Sequence, residues 1–65
     1  MDLIYTISRE RYMNLLNGYT YVVQDERNRQ RRITHTGLGS REKVIEYLNA
    51  TEGLLGTITD LRIEG

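Results

Sequence analysis

The sequence contains no cysteine, and this absence removes several kinds of chemistry at once. Without thiols the chain forms no disulfide, has no thiolate nucleophile and offers no cysteine ligand for zinc. The single histidine, His35, has no second nitrogen or sulfur ligand nearby in the sequence. As a general base it would need a serine, and only Ser8 and Ser40 exist. We therefore expect no metal site, no cofactor and no enzymatic activity.

Phenylalanine, tryptophan and proline are also absent, and the aromatic residues are five tyrosines. Tyrosine suits half-buried positions in which the ring is covered and the hydroxyl reaches water. A chain of 65 residues buries only about 60% of its unfolded surface, so the core must be thin and a deep catalytic cavity is not expected. No linker, repeat or low-complexity segment divides the chain, and we expect one domain over residues 1–65.

Long hydrophobic runs are missing as well. The N-terminal segment has few apolar residues before Arg9 and an acid at Asp2, a pattern that fits neither a signal peptide nor a membrane span. We expect a soluble, cytoplasmic protein with no membrane partner.

Charge is balanced in number but not in position, with nine basic residues and nine acidic ones. Residues 1–41 hold seven arginines against four acids, a net charge of +3, whereas residues 42–65 have a net charge of −3. Every basic residue except Lys43 is arginine, whose planar guanidinium makes bidentate and stacked contacts that lysine cannot. The asymmetry and the use of arginine favour a surface that binds a partner.

A strand and a helix are predicted at the start of the chain. Residues 3–7, LIYTI, alternate as a mostly buried strand does. The helix begins after Ser8, a good N-cap, and ends at Asn17-Gly18, where glycine permits a left-handed stop. The strand residues expected on one face are Leu3, Tyr5 and Ile7, and the helix residues expected to face the sheet are Tyr12, Leu15 and Leu16.

A second helix and a final strand are predicted after residue 39. Ser40 is the N-cap of a helix that runs to about Thr51 or Glu52 and is closed by Gly53. Its apolar stripe consists of Val44, Tyr47 and Leu48, widened by Ile45. The segment 54–64 is predicted to form a half-exposed edge strand. One face of that strand should carry Thr57, Thr59, Leu61 and Ile63.

A β-hairpin is predicted over Tyr19–Thr36, where two strand-like segments flank the loop Glu26-Arg27-Asn28. Asn28 can adopt the left-handed conformation that closes a three-residue hairpin loop. A loop longer or shorter by one residue would pair the other faces, so the sequence leaves the register open. With the three-residue loop, one face of the hairpin is expected to lie toward the core. That face carries Tyr19, Tyr21, Val23, Arg31, Ile33 and His35.

The predicted order βαββαβ is that of the split-βαβ, or ferredoxin-like, fold of the α+β class. Two right-handed crossovers would place both helices on one face of a four-stranded antiparallel sheet. Because 65 residues are close to the smallest version of this fold, a three-stranded sheet with one or two helices is the alternative. The open face of the sheet would be the surface for a partner.

The turn GLGSREK has the composition of an anion-binding turn. Two glycines and a helix N-terminus can direct free N–H groups at a phosphate or carboxylate. The segment is neither a Walker motif nor GxGxxG, and glycines also serve simply as turn residues before a helix. The candidate anion-binding residues are Gly37, Gly39, Ser40 and Arg41.

The candidate partner-binding residues all lie on the hairpin: Tyr19, Tyr21, Arg27, Arg29, Arg31 and Arg32. Arginine and tyrosine are enriched at the hot spots of protein interfaces. We expect a small non-enzymatic protein-binding module, of the kind that a phage or mobile element uses as an inhibitor or adaptor, which occludes a surface of a host protein.

A DNA- or RNA-binding regulator is the alternative function, with the arginines on phosphates and a tyrosine stacked on bases. Dedicated nucleic-acid-binding proteins usually carry a stronger basic balance than the zero net charge of this chain. A homodimer formed through an exposed strand edge is a further expectation.

One segment resembles a known domain. YVVQDERNRQRRITHTGLGSREKVIEYL, from Tyr21 to Leu48, is similar to the arm-binding domain at the N-terminus of phage integrases, in which a basic hairpin precedes a glycine turn and an amphipathic helix. The similarity covers fewer than half the residues. The lysine-rich strand and the aromatic residue before the helix that are usual in those domains are missing here, and we assign no family from it.

Overall fold

All 65 residues are described by the structure, a computed structural model, and they form the predicted elements in the predicted order. The elements are β1 (Asp2–Ser8), α1 (Arg9–Asn17), β2 (Gly18–Gln24), β3 (Gln30–Thr36), α2 (Arg41–Thr51) and β4 (Thr57–Glu64). The α+β class is confirmed. Neither helix is long and apolar enough to cross a membrane.

The strands form two separate two-stranded sheets, so the predicted four-stranded antiparallel sheet is wrong, as is its three-stranded alternative. β1 pairs with β4 in parallel, and β2 pairs with β3 as an antiparallel hairpin. No residue of β2 or β3 is fully buried, because a chain of 65 residues has too little apolar side chain to cover a second pair of strands.

The core lies between the β1–β4 sheet and the two helices, with α2 contributing most. The five buried residues are Ile7, Val44, Leu48, Ile58 and Leu61. Half-buried apolar side chains surround them: Tyr5, Tyr12, Leu15, Leu16, Leu38 and Ile45. The predicted helix stripes are therefore confirmed except at Tyr47, which is 41% exposed. Ile45 takes the place beside the core that Tyr47 was expected to fill.

Both predicted N-caps are present. The Ser8 hydroxyl accepts a hydrogen bond from the Arg11 amide at 3.2 Å, and the Ser40 hydroxyl accepts one from the Lys43 amide at 3.2 Å. The C-terminal end of α1 is Gly18, whose φ of 81° lies in the region that favours glycine. Because the chain passes from α1 into β2 at this residue without a loop, the cap also sets the direction in which the hairpin leaves.

A β-bulge in β4 changes which of its residues reach the core. The pairing register shifts by one residue between Leu3 and Ile4, because Thr59 is an extra residue in β4. As a result Ile58 and Leu61 are both buried, although a regular strand would place them on opposite faces. The predicted face of Thr57, Thr59, Leu61 and Ile63 is wrong for this reason.

The hairpin, residues 18–36, projects from the rest of the chain, and we call it the arm and the remainder the body. The molecule measures 48 × 21 × 20 Å, and its radius of gyration of 14.7 Å exceeds the value of about 11 Å typical of a compact chain of this length. Its accessible surface is 5316 Å², against about 4,300 Å² for a compact protein of this mass. The expectation that the tyrosine face of the hairpin lies against a core is wrong beyond its base.

Side chains of α2 fasten the helix to β4. The Asn49 amide pairs with both backbone groups of Ile58: Oδ1 accepts from the Ile58 N–H at 2.7 Å and Nδ2 donates to the Ile58 carbonyl at 3.1 Å. At the other end of α2 the Arg41 guanidinium binds the Asp60 carboxylate and donates to the Leu61 carbonyl at 2.9 Å. These bonds fix α2 over the bulged part of the strand.

A second ion pair joins the two helices. Arg11 of α1 donates to the Glu52 carboxylate at 2.6 Å and to the Tyr5 hydroxyl at 2.8 Å. The bond from Arg11 lowers the pKa of the Glu52 carboxyl, and the bond from Arg41 lowers that of Asp60. Both pairs are solvent-exposed, so each contributes modestly to stability.

Truncating a buried valine should destabilise the protein far more than truncating an exposed one. Val44 is fully buried, and Val44→Ala should lower the free energy of unfolding by about 2 kcal/mol. Val22 on the arm is 57% exposed, and Val22→Ala should change it by less than about 0.5 kcal/mol. Urea titration followed by circular dichroism measures both. Equal losses would contradict the core described here.

Acid should weaken the fold through the two carboxylates. The pKa values of Glu52 and Asp60 are lower in the folded chain than in the unfolded one, so their contribution is complete above about pH 4.5 and is lost as the pH falls through the folded values. Urea midpoints at falling pH should drop more steeply for the wild type than for Glu52→Gln/Asp60→Asn. Parallel curves for the two proteins would count against these ion pairs.

Candidate interaction arm

The strands of the arm pair in the register that the three-residue loop Glu26-Arg27-Asn28 predicts. Tyr19 lies opposite His35, Tyr21 opposite Ile33 and Val22 opposite Arg32. One face, the tyrosine face, therefore carries Tyr19, Tyr21, Val23, Arg31, Ile33 and His35, as predicted. The other face is mainly polar, and Thr20 and Thr34 form a hydrogen bond across it between their hydroxyls at 3.2 Å.

The loop at the tip is held by the carboxylate of Asp25. Asn28 has a φ of 59°, which confirms the predicted left-handed position. The Asp25 Oδ1 atom accepts hydrogen bonds from the amides of Arg27 and Arg29, both at 2.9 Å, and the Asp25 carbonyl accepts one from Asn28 at 3.1 Å. The Asp25 carboxylate thus shapes the loop.

The four arginines of the arm make no ion pair and no side-chain hydrogen bond within the chain. The two ion pairs of the protein use Arg11 and Arg41, both on the body. All four arm arginines are exposed: Arg27, Arg29, Arg31 and Arg32. They do not form one stripe, because Arg31 lies on the tyrosine face and Arg32 on the opposite one. Arg27 and Arg31 border a shallow polar concavity at the tip.

Three aromatic rings form a stack on the tyrosine face. The ring centroids of Tyr19 and His35 are 4.9 Å apart, those of Tyr21 and His35 5.8 Å, and those of Tyr19 and Tyr21 5.7 Å. The tyrosines are 42% and 40% exposed. His35, considered in the sequence as a metal ligand or general base and placed on the tyrosine face, is a stacking partner of both tyrosines, because the register sets it opposite Tyr19.

A groove runs where the base of the arm meets the two helices. It is lined by Asn14, Leu15, Tyr19, His35, Thr36, Leu38 and Tyr47. Tyr47, which the sequence assigned to the core, is thereby a member of the candidate site. The spacing of Tyr47 in the apolar stripe of α2 is the same whether the ring lies in the core or in a groove at its edge, so the sequence could not tell the two positions apart. The groove contains neither a serine nor a carboxylate beside His35.

The glycine turn packs against α1, and two of its amides bond to that helix. The amides of Leu38 and Gly39 donate to the carbonyls of Leu15 and Leu16, which are the free carbonyls near the end of α1. Gly37 lies so close to the Leu16–Gly18 backbone that a Cβ would clash. The Ser40 hydroxyl serves as a cap and Arg41 binds β4. The candidate anion-binding residues are thus near one another, and the Gly39 amide, the Ser40 hydroxyl and the Arg41 guanidinium are engaged within the chain.

No cluster of three or more His, Cys, Asp or Glu side chains suitable for a metal ion is present. Comparison with protein-family models, with curated protein sequences and with solved structures found no match to this chain. The likeness to the integrase arm-binding domain therefore gains no support, and the site has to be interpreted from its own geometry.

Removing the carboxylate of Asp25 should loosen the tip of the arm. Asp25→Ala deletes the acceptor of the Arg27 and Arg29 amides, and their hydrogen exchange should accelerate on the order of tenfold. Glu26→Ala is the matched control, because the Glu26 side chain makes no hydrogen bond within the chain. Amide exchange followed by NMR distinguishes the two. Unchanged rates in Asp25→Ala would show that the loop is held by its backbone alone.

Proposed function

We propose that this protein is a small non-enzymatic binding module that attaches to another protein through its arm and acts by occluding the surface it covers. The observation that carries the proposal is the exposure of the arm, which contributes nothing to the five-residue core yet presents stacked tyrosines and unpaired arginines. Side chains of this kind are costly to keep ordered and exposed unless they make contacts elsewhere.

The arm and its base combine the two parts that a protein interface needs. The groove beside Tyr19 and Tyr47 is a concave, partly apolar site that can receive one anchoring side chain of a partner. The arginines further along the arm can form a polar rim around that anchor. The stacked rings hold Tyr19 and Tyr21 in place, so little side-chain entropy is lost when a partner covers them.

The charge of the arm defines the partner further. Residues 18–36 contain four arginines against Asp25 and Glu26, a net charge of +2, and the body accordingly has a net charge of −2. Because the Asp25 carboxylate is turned to the loop amides, Glu26 is the remaining free acid of the arm. The fitting partner is a protein with an acidic surface next to an exposed apolar or aromatic residue.

A nucleic-acid-binding regulator is the second candidate, and the shape of the arm favours it. A projecting two-stranded antiparallel ribbon has the dimensions that the major groove of DNA admits. Exposed tyrosines can also stack on the bases of single strands. We rank it second because arginines on both faces suit no single phosphate track and the net charge is zero.

A capture experiment from a lysate of the source cell tests the arm. The arm variant is Arg27→Ala/Arg31→Ala/Arg32→Ala, and the body variant, which removes the same charge, is Arg9→Ala/Lys43→Ala/Arg62→Ala. Each arginine at a hot spot is worth at least about 1 kcal/mol, so the arm variant should retain at least about tenfold less of the bound protein. The body variant should retain as much as the wild type.

Treatment of the lysate with DNase and RNase separates the two candidates. Protein that remains bound after nuclease treatment supports the occlusion function. Capture that requires nucleic acid, together with direct binding to duplexes or single strands that falls steeply with salt, supports the second candidate instead. Equal capture by the arm variant and the wild type would rule out the arm as the interface in both.

A further inference from the structure

The β1–β4 sheet has two edges, and side chains of the protein itself block one of them. On the outer edge of β4 the Asn49 amide occupies the N–H and the carbonyl of Ile58. Next along the strand, the Leu61 carbonyl accepts from Arg41 and the Leu61 amide donates to the Asp60 carboxylate. A further strand cannot pair with this part of β4, because its hydrogen-bonding groups are already taken.

The outer edge of β1 is open. The Met1 carbonyl accepts from the Thr57 amide, so Met1 and the alternate residues after it direct their backbone groups at β4. The intervening residues Asp2, Ile4 and Thr6 direct theirs outward, and no loop or side chain of the protein bonds to them. Ile4 is 69% exposed on the sheet face away from the helices. The edge thus combines free backbone groups with an exposed apolar side chain.

We propose that β1 pairs antiparallel with β1 of a second copy of the chain, making a four-stranded sheet with β4 of each copy outermost. The two-fold axis that relates the copies passes between Tyr5 of one copy and Tyr5 of the other. This register pairs all seven residues of β1 and places Ile4 opposite Thr6 of the second copy as a hydrogen-bonded pair. The proposal does not involve the arm and is independent of the function proposed above.

The sequence of β1 is complementary to itself in this register. On the face toward the helices Leu3 lies opposite Ile7 of the second copy and Tyr5 opposite Tyr5, so apolar side chains meet apolar ones. Asp2, the only charged residue of β1, lies opposite Ser8 of the second copy, beside Arg9 and the positive end of α1. No like charges face each other.

The dimer would also correct two weaknesses of the isolated chain. A two-stranded sheet is marginally stable alone, and parallel strands are normally covered on both sides. Pairing through β1 turns both β1 strands into central strands of a sheet whose two outer strands are β4, each blocked at Ile58 and Leu61. The second copy fits this edge better than a foreign strand, because its β1 supplies the matching side chains without any change of conformation.

Sedimentation equilibrium over a range of concentrations tests the proposal with two variants at one position. The wild type should show a concentration-dependent dimer. Ile4→Pro removes an N–H from the open edge but none from the β4 pairing, and should raise the dimer dissociation constant at least about tenfold. Ile4→Thr keeps the N–H and the branched side chain, and should leave the dissociation constant within about threefold of the wild type.

Cross-linking provides a measurement that does not depend on how well Ile4→Pro folds. The chain has no cysteine, so Tyr5→Cys introduces one thiol per copy, directly on the proposed axis. Under mild oxidation it should form a disulfide-linked dimer, whereas Val22→Cys on the arm should not. Wild-type protein that stays monomeric at every concentration reached, or a dimer that neither Ile4→Pro weakens nor Tyr5→Cys cross-links, overturns the proposal.

Discussion

The parallel pairing of β1 with β4 is the interaction on which the rest of the molecule depends. It joins the two ends of the chain and creates the sheet against which α2 buries Val44 and Leu48. With 65 residues there is too little apolar side chain to cover a second sheet. Once the ends are paired, the middle of the chain is left without a core to join, and it forms an arm.

Local features of this fold could be predicted from the sequence because nearby residues determine them. The caps at Ser8 and Ser40, the stop at Gly18 and the left-handed Asn28 depend on backbone groups a few positions away. These predictions needed no knowledge of the remaining chain. The hairpin register was left open by the sequence, because a loop longer or shorter by one residue would have paired the other faces.

The sheet arrangement could not be predicted in the same way, because it depends on residues far apart in the sequence. The alternation in β4 suggested a regular edge strand, and nothing in it indicated that Thr59 would bulge so that Ile58 and Leu61 both reach the core. The strand-like composition of β2 and β3 was compatible both with strands that join the β1–β4 sheet and with a hairpin that projects from it. The order βαββαβ is shared by both arrangements, so it could not decide between them.

The candidate site shows the same division. The sequence placed the candidate arginines and tyrosines on the hairpin, and the alternation of a strand predicted that the arginines would lie on two faces, as the register shows for Arg31 and Arg32. Tyr47 lay in an apolar stripe that the sequence assigned to the core, and the amide of Gly39, a candidate anion-binding residue, donates to a carbonyl at the end of α1. In each case the side chain or amide contacts residues that are distant in the sequence and that only the tertiary structure brings close.

The separation of arm and body has a consequence for affinity. One face of a single two-stranded arm is small beside the roughly 800 Å² that each partner contributes to a standard interface, so one arm alone should bind the proposed partner weakly. A dimer through β1 would carry two arms on one sheet, and after the first arm binds, the second binds at a high effective concentration. Weak contacts at each arm could then add to a tight complex without a larger core. The free edge of β1 and the exposed arm are physically independent, but the two proposals are complementary in effect, since the proposed dimer would determine how many arms the proposed partner meets.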